Sequence, residues 1–193
     1  CYSGVADIFR LPKFSLSFFR TQIAEGSMLP SGKMPYEVFI PAYRDEILSD
    51  TVMVYGNVDE VELILNGKTI RRQTADKGPD SDYIPVPNGG NCKNLHFPPF
   101  TFYGVPKERG VLKAVGYHQG KKVAEYTVKT PGVPERLDIT YFESGKPATK
   151  NDLLIVYVRM LDKQGVLCPV NGIPVELSVQ GGEIVGPTSY PLE

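Results

Sequence analysis

The chain has 193 residues, with 21 Lys and Arg against 22 Asp and Glu and a formal net charge of −1. This length is enough for one large domain or two small ones, each with a buried core. The balanced charge gives no basic excess for nucleic acid, and no apolar run approaches the ~20 residues of a bilayer-spanning helix. We therefore expect a globular fold, no nucleic-acid partner and no membrane span.

Residues 1–27 differ in pattern from the rest of the chain. In "FRLPKFSLSFFRTQIA", Pro12 stands where a helix can start, because the first helical position needs no N–H donor. Apolar residues then recur at helical spacing, which predicts a helix over 12–23 with a wide apolar face. We expect its rings to be buried on the first β-sandwich that follows or on a neighbouring molecule. These rings are Phe14, Phe18 and Phe19, with Leu11, Leu16 and Ile23 beside them.

Beyond a Gly-, Ser- and Pro-rich linker at 25–35, the apolar period changes from 3.6 to 2, which is typical of strands. Asn66-Gly67, between "EVELIL" and "KTIRRQ", predicts a two-residue hairpin because both central residues of a type I′ turn need positive φ. Gln119-Gly120 predicts a second hairpin. Further strands are predicted in "YEVFIPAY", "DTVMVYGN", "HFPPFTFYG" and "GVLKAVGYHQGKKVAEYTVKT", with a long loop at 74–94.

A second boundary is predicted at "TPGVP", residues 130–134. The strand patterns "ERLDITYFE", "NDLLIVYVRMLDKQG" and "IPVELSVQGGEIVG" follow it, with a turn at Asp162–Gly165. Closely spaced turns favour β-sandwiches in both sets of strands. We expect a mainly β protein with tandem immunoglobulin-like sandwiches at 28–131 and 132–193. The second set is short for a seven-stranded sandwich and is expected to be truncated.

Two glutamates on one predicted strand raise the question of catalysis. Glu60 and Glu62 share a strand face with Cα atoms about 6.6 Å apart, and glycoside hydrolases use two carboxylates. However, Val61, Leu63 and Leu65 form the apolar face, so the glutamates point toward water. A general acid needs burial or a charged neighbour to raise its pKa. We therefore expect a solvated face, with cross-strand charge pairs to Lys68, Arg71 and Arg72.

The remaining candidates for chemistry are the histidines and cysteines. His96, placed at the start of a strand, and His118, placed at a hairpin tip, have no cysteine or acid at a metal-ligand spacing. Cys1, Cys92 and Cys168 match neither a zinc pattern nor a disulfide framework, so free thiols are expected. Tryptophan, the side chain with the largest face for stacking sugars, is absent from the sequence. We therefore predict no catalytic, cofactor-binding or metal-binding residue.

Five segments are characteristic in combination: "GVADIFRLPKFSLSFFRTQ", "VMVYGNVDEVELILNGKTI", "HFPPFTF", "GVLKAVGYHQGKKVAEYTVKTPG" and "DLLIVYVRMLDKQG". Together they resemble the C-terminal region of glycoside hydrolase family 2, in particular its bacterial β-galactosidase-like members. The resemblance implies that Asp7 to Lys13 is the loop after the last strand of a catalytic (β/α)₈ barrel. It also implies that 1–27 is a short helical remnant of that barrel, and that the two catalytic glutamates lie upstream of Cys1.

The resemblance implies a non-catalytic accessory region of a retaining, O-glycosyl-hydrolysing enzyme. Its expected partners are the catalytic barrel of the same parent chain and the parent's carbohydrate substrate, in a periplasmic or extracellular setting. Related β-glucuronidases carry Asn-x-Lys where this chain has Cys1-Tyr2-Ser3, which favours a β-galactosidase parent. The start at Cys1 indicates a cut from a longer chain, and Leu192-Glu193 could be a cloning scar. Two alternatives stay open: a carbohydrate-binding module, and an adhesion or protein-interaction repeat.

Overall fold

A computed structural model describes residues 4–7, 11–23, 36–42, 50–76, 95–141 and 153–192. The chain forms two compact units, Cys1–Thr130 (unit 1) and Pro131–Glu193 (unit 2). The predicted linker and most of the predicted 74–94 loop lie outside the described residues, as do Cys1 to Ser3 and Cys92. The assignment of 1–27, 28–131 and 132–193 as separate domains stays a prediction.

In its described residues, unit 1 contains α1 (Phe14–Arg20), β1 (Val38–Phe39), β2 (Thr51–Gly56), β3 (Glu60–Leu65), β4 (Lys68–Thr74), β5 (Phe100–Tyr103), β6 (Val111–His118) and β7 (Lys121–Lys129). One sheet has the strand order β1-β2-β5 and the other has the order β4-β3-β6-β7. All neighbouring strands are antiparallel. The predicted strands are therefore confirmed, although β1 is much shorter than "YEVFIPAY".

The two sheets of unit 1 pack face to face because their strands alternate in exposure. In β2 and β3 every second residue is buried and the others are partly exposed, as expected for a sheet with one covered face. Both sheets contribute to one core, so unit 1 has the predicted sandwich architecture. The core consists of Val38, Ile40, Val52, Val54, Val58, Val61, Leu63, Leu65, Phe100, Phe102, Val105, Leu112 and Ala114.

Both predicted two-residue hairpins are present. Asn66 and Gly67 have φ of 52° and 80°, and Gln119 and Gly120 have φ of 49° and 75°. Positive φ at both central residues defines the type I′ geometry that matches the twist of the flanking strands. The side chain of Asn66 also accepts a hydrogen bond from the Val111 N–H at 2.9 Å, which ties the first hairpin to β6.

Helix α1 is shorter than the predicted 12–23. It starts at Phe14 because Pro12, just before it, forms an extended bridge with Ala6. It ends before Thr21, whose hydroxyl donates to a carbonyl of the last turn at 2.7 Å. The position of the helix is thus confirmed and its predicted length is wrong. Among the described residues no helix is long and apolar enough to cross a bilayer.

The rings of α1 only partly follow the prediction that all three are buried. Phe14 lies 5.5 Å from Phe39, and Phe18 lies 5.0 Å from Tyr55, as ring centroids. The predicted contact with the first sandwich is therefore confirmed for these two rings. Phe14 and Phe19 are 38% and 56% exposed, so their predicted burial within this chain is wrong. A seven-residue helix presents only one narrow stripe to the sheet, and Phe19 lies outside that stripe.

Unit 2 contains, in its described residues, β8 (Pro134–Tyr141), β9 (Val156–Asp162), β10 (Ile173–Glu176) and β11 (Ser189–Leu192). β8 pairs with β9 and β10 pairs with β11, both antiparallel. The strand predicted along "IPVELSVQGGEIVG" is wrong beyond Glu176, where the chain reaches Gly181 with φ of 79°. β11 was not predicted, because its Pro191 cannot donate to a ladder. A two-stranded ribbon has only edge strands, where proline is tolerated.

Candidate functional site

The two glutamates of β3 lie where the sequence predicted them. Val61, Leu63 and Leu65 are 0–2% exposed, whereas Glu60 and Glu62 are partly exposed on the opposite face. The register is therefore confirmed, since a slip of one residue would have exchanged the two faces.

Glu62 is held by neutral hydrogen-bond donors. Its carboxylate accepts from the Thr69 hydroxyl and from the Tyr117 phenol, each at 2.7 Å. These two bonds, that of Thr69 first, lower the pKa of Glu62, because they stabilise its ionised form. The same carboxylate raises the pKa of Tyr117. A general acid needs the opposite shift, so Glu62 is a poor proton donor near neutral pH.

Glu60 takes part in an ion pair on the same face. Arg72 Nη2 lies 2.5 Å from Glu60 Oε2, and the guanidinium sits 3.8 Å above the centroid of the Tyr117 ring. In the ladder Arg72 is directly opposite Glu62, and Glu60 is opposite Thr74, so the ion pair is diagonal. The predicted cross-strand charge pairing is thus confirmed for Arg72. The face as a whole is a hydrogen-bonded surface network.

The two histidines have different contacts. His118 is the last residue of β6, as predicted, and its Nδ1 lies 3.1 Å from Asp59. Asp59 also accepts the Gln119 N–H at 2.7 Å, and this bond is the largest cause that lowers the pKa of Asp59. His96 does not begin a strand, because β5 starts only at Phe100. The pair of Asp59 and His118 secures the second hairpin.

The described residues contain no group of three His, Cys, Asp or Glu side chains placed to hold a metal ion. Cys168 is buried. Its sulfur lies 3.8 Å from the carbonyl oxygen of Gly132, which is a packing contact inside unit 2.

Sequence reasoning missed a groove in unit 1. It has a volume of about 410 Å³ and lies where α1 meets the facing strands β1 and β7. Its wall combines aromatic rings with charged and hydroxyl groups, and its lining residues are 17, 20, 36–39 and 124–126. The residues come from three distant parts of the chain, so no local pattern in the sequence marks the groove.

The polar wall of the groove contains an ion pair between Arg20 of α1 and Glu37. Glu37 is fixed by its own N–H, which donates to Asn57 Oδ1 at 2.7 Å. The aromatic wall is the ring of Tyr126, which packs edge-to-face with the buried Phe39 ring at a centroid distance of 5.4 Å. The groove therefore offers hydrogen-bonding groups on one side and ring surface on the other.

Comparison with known proteins places these observations in a family context. Residues 49–124 match a family described as a domain of unknown function (DUF4982). A β-galactosidase of Thermoanaerobacter pseudethanolicus is 32% identical over 205 residues, which cover 100% of this chain and 25% of that protein. The β-galactosidase BoGH2A of Bacteroides ovatus is 29% identical, over 95% of this chain and 19% of its own length.

The fold also matches a solved structure, that of a β-glucuronidase from glycoside hydrolase family 2. The TM-score is 0.69 at 22% identity, and the match covers 90% of this chain and 16% of the other. The chain thus spans about a quarter or less of the relatives that it matches. The mainly β fold and the family resemblance carried by the sequence motifs are both confirmed. The chain is part of a glycoside hydrolase family 2 protein.

Proposed function

We propose that this chain is a non-catalytic accessory region of a family 2 glycosidase. The observation that carries the proposal is the state of Glu62, whose two hydrogen bonds lower its pKa. Glu60, the other candidate, is engaged with Arg72 on an open sheet face. Neither carboxylate has the environment of a catalytic acid. The chain's share of its relatives, 25% or less, is also consistent with an accessory role.

Its role in the whole protein would be mechanical. The outer side of α1 and the segment before it expose Val5, Leu11 and Phe19. Burying exposed apolar side chains in a protein contact removes them from water, which is favourable. We propose that this surface supports the catalytic barrel of the same protein, with residues 1–27 as its end and the sandwiches at 28–131 and 132–193 as accessory domains.

The parent's reaction is proposed as retaining hydrolysis of a β-galactoside. The support is the 32% identity to the T. pseudethanolicus protein, which is named a β-galactosidase. A β-glucuronide is the second candidate, because the matching solved structure is named a β-glucuronidase. A retaining enzyme needs two carboxylates about 5–5.5 Å apart, and we place them outside this chain.

The test is to assay this chain and the full-length protein side by side on a chromogenic β-galactoside and a β-glucuronide. We expect turnover by the full-length protein on the galactoside and none by the chain. The double variant Glu60→Gln/Glu62→Gln of the full-length protein should keep its kcat. Turnover by the chain that disappears in this variant would overturn the accessory role. A preference of the full-length protein for the glucuronide would overturn only the proposal that its substrate is a β-galactoside.

A further inference from the structure

The groove of unit 1 has the size of a small-ligand site. Its volume of about 410 Å³ lies within the roughly 300–1,000 Å³ of typical ligand pockets. This is room for one or two sugar rings. The groove is formed entirely by described residues of unit 1, with α1 on one side and the β1 and β7 strands on the other.

Its chemistry favours a polyhydroxylated, uncharged ligand. The Glu37 carboxylate can accept hydrogen bonds from hydroxyl groups, and the Arg20 guanidinium can donate to them. Glu125, which borders the groove in sequence, shares the outer sheet face with Val115 and is paired there with Lys122, so its carboxylate is not counted among the groups of the wall. The guanidinium of Arg20 is already paired with Glu37, and this neutralised cation disfavours phosphate or uronate ligands. Tyr126 offers ring surface to the C–H face of a sugar.

The groove is also pre-organised, which reduces the entropy lost on binding. Tyr36 is stacked on the His118 ring at 4.8 Å, and His118 is in turn held by Asp59 at 3.1 Å. Glu37 is anchored through its backbone to Asn57, which is itself buried. These contacts place the aromatic and acidic walls before any ligand arrives.

We propose that this groove binds a neutral pyranose unit of a saccharide. The site goes beyond the accessory role and does not depend on it, since binding needs no catalysis. Ser17 and Arg20 of α1 supply hydrogen-bond donors from one side. Glu37 accepts from the other side, and Tyr126 packs against the ring. A small ligand held by a few such contacts is expected to bind with a roughly millimolar dissociation constant.

The proposal is tested by two-dimensional amide NMR of this chain, titrated with lactose and separately with glucuronic acid. Lactose should shift the amide signals of residues 17, 36, 37 and 126, and glucuronic acid should shift them at least several-fold less at equal concentration. Glu37→Gln should weaken lactose binding about tenfold, as expected for loss of one charge-assisted hydrogen bond. Glu60→Gln, a matched change on the outer face of β3, should leave binding unchanged.

Should Glu37→Gln lose its dispersed spectrum, Ser17→Ala replaces it as the groove variant and should also weaken binding. The proposal would be overturned if the groove amides did not shift at a lactose concentration about 100-fold above the expected dissociation constant. Stronger binding of glucuronic acid than of lactose would also overturn it. Equal weakening by Glu60→Gln and the groove variant would also overturn it, because the site would then not be the groove.

Discussion

The two units of this chain differ in how they close their interiors. In unit 1 two sheets cover each other, and side chains such as Leu63 and Phe100 are 0% exposed. In unit 2 the β8–β9 ribbon places Leu137, Ile139 and Tyr141 on one face, and Ile139 is 63% exposed. The buried side chains of unit 2 in the described residues are Leu161, Asp162, Cys168 and Val175.

In unit 2 a buried carboxylate stabilises the fold through hydrogen bonds, whereas in unit 1 an apolar core stabilises it. Asp162 accepts hydrogen bonds from the N–H groups of Gly132, Gln164 and Val166 at 2.7–2.8 Å. These bonds close the turn after β9 and join it to the start of the unit. Fully burying one large apolar side chain is worth about 1.5–3 kcal/mol, so unit 1 has many separate sources of stability. Unit 2 depends on a small number of such stabilising interactions.

The largest expected effect is a core truncation in unit 1. Phe100→Ala should lower the free energy of unfolding of unit 1 by about 3–5 kcal/mol, because it leaves a cavity in a closed core. The measurement is urea denaturation followed by the amide signals of unit 1. The matched truncation in unit 2, Ile139→Ala, should cost under about 1 kcal/mol, because that side chain is already in water. Similar losses at the two positions would show that the β8–β9 face is covered in solution.

The next effect is expected at Asp162. Asp162→Asn should open the turn after β9 and raise amide exchange in β8 and β9, because an amide cannot accept all the bonds of the carboxylate. Asp138→Asn, which removes a partly exposed partner of Arg159, is the control and should leave exchange nearly unchanged.

The effect of Asp162 should also depend on pH. The Gly132 N–H is the first cause that lowers the pKa of Asp162 in the folded state. Its contribution to stability is therefore fully present above the ordinary aspartate pKa of about 3.9 and is lost as the pH falls through the lowered value. The difference in stability between the wild type and Asp162→Asn should shrink in that acid range. A difference that grows on acidification would contradict the assignment.

A smaller effect is expected from replacing a glycine that has positive φ in each of the two units. Gly67 and Gly172 have φ of 80° and 75°, and neither would bring a new Cβ within 4 Å of a neighbour. Alanine at either position should cost about 1–2 kcal/mol of backbone strain. Gly67→Ala should leave unit 1 folded, whereas Gly172→Ala should visibly raise amide exchange in the β10–β11 ribbon. Equal changes in exchange would mean that the two units have similar stability.

The smallest effect is expected on the outer face of the four-stranded sheet. Tyr117→Phe removes one of the two bonds to Glu62 and should cost under about 1 kcal/mol. It should raise the pKa of Glu62 toward the ordinary glutamate value, because the bond from Thr69 alone lowers that pKa less than the bonds from Thr69 and Tyr117 together. Carboxyl-carbon NMR titration measures this shift. The titration of Glu125, whose pKa is lowered chiefly by Lys122, should not move in the same spectra.

Local rules were sufficient for much of unit 1. Asn66-Gly67 and Gln119-Gly120 require positive φ, and the alternation of Val61, Leu63 and Leu65 sets the buried face of β3. Both signals act over a few residues, so the sequence contains them in readable form. The helix was predicted too long because Pro12 pairs with Ala6, a contact that helical periodicity does not reveal.

Long-range features were not predictable in the same way. Glu62 receives its second hydrogen bond from Tyr117, 55 residues away. The groove joins Ser17, Tyr36 and Tyr126, which become neighbours only after both sheets have formed. The strand β11 was missed because Pro191 contradicts strand propensity, and only its pairing with Pro174 shows that it belongs to a ribbon.

The most direct test of the non-catalytic role is covalent trapping in the full-length protein. A retaining glycosidase forms a covalent glycosyl-enzyme intermediate on its nucleophile, and a 2-fluoro glycoside that forms it quickly and hydrolyses it slowly marks that residue. Digestion and mass spectrometry should then find the label on a glutamate outside these 193 residues, with Glu60 and Glu62 unmodified. A label on Glu60 or Glu62 would contradict the non-catalytic role of this chain.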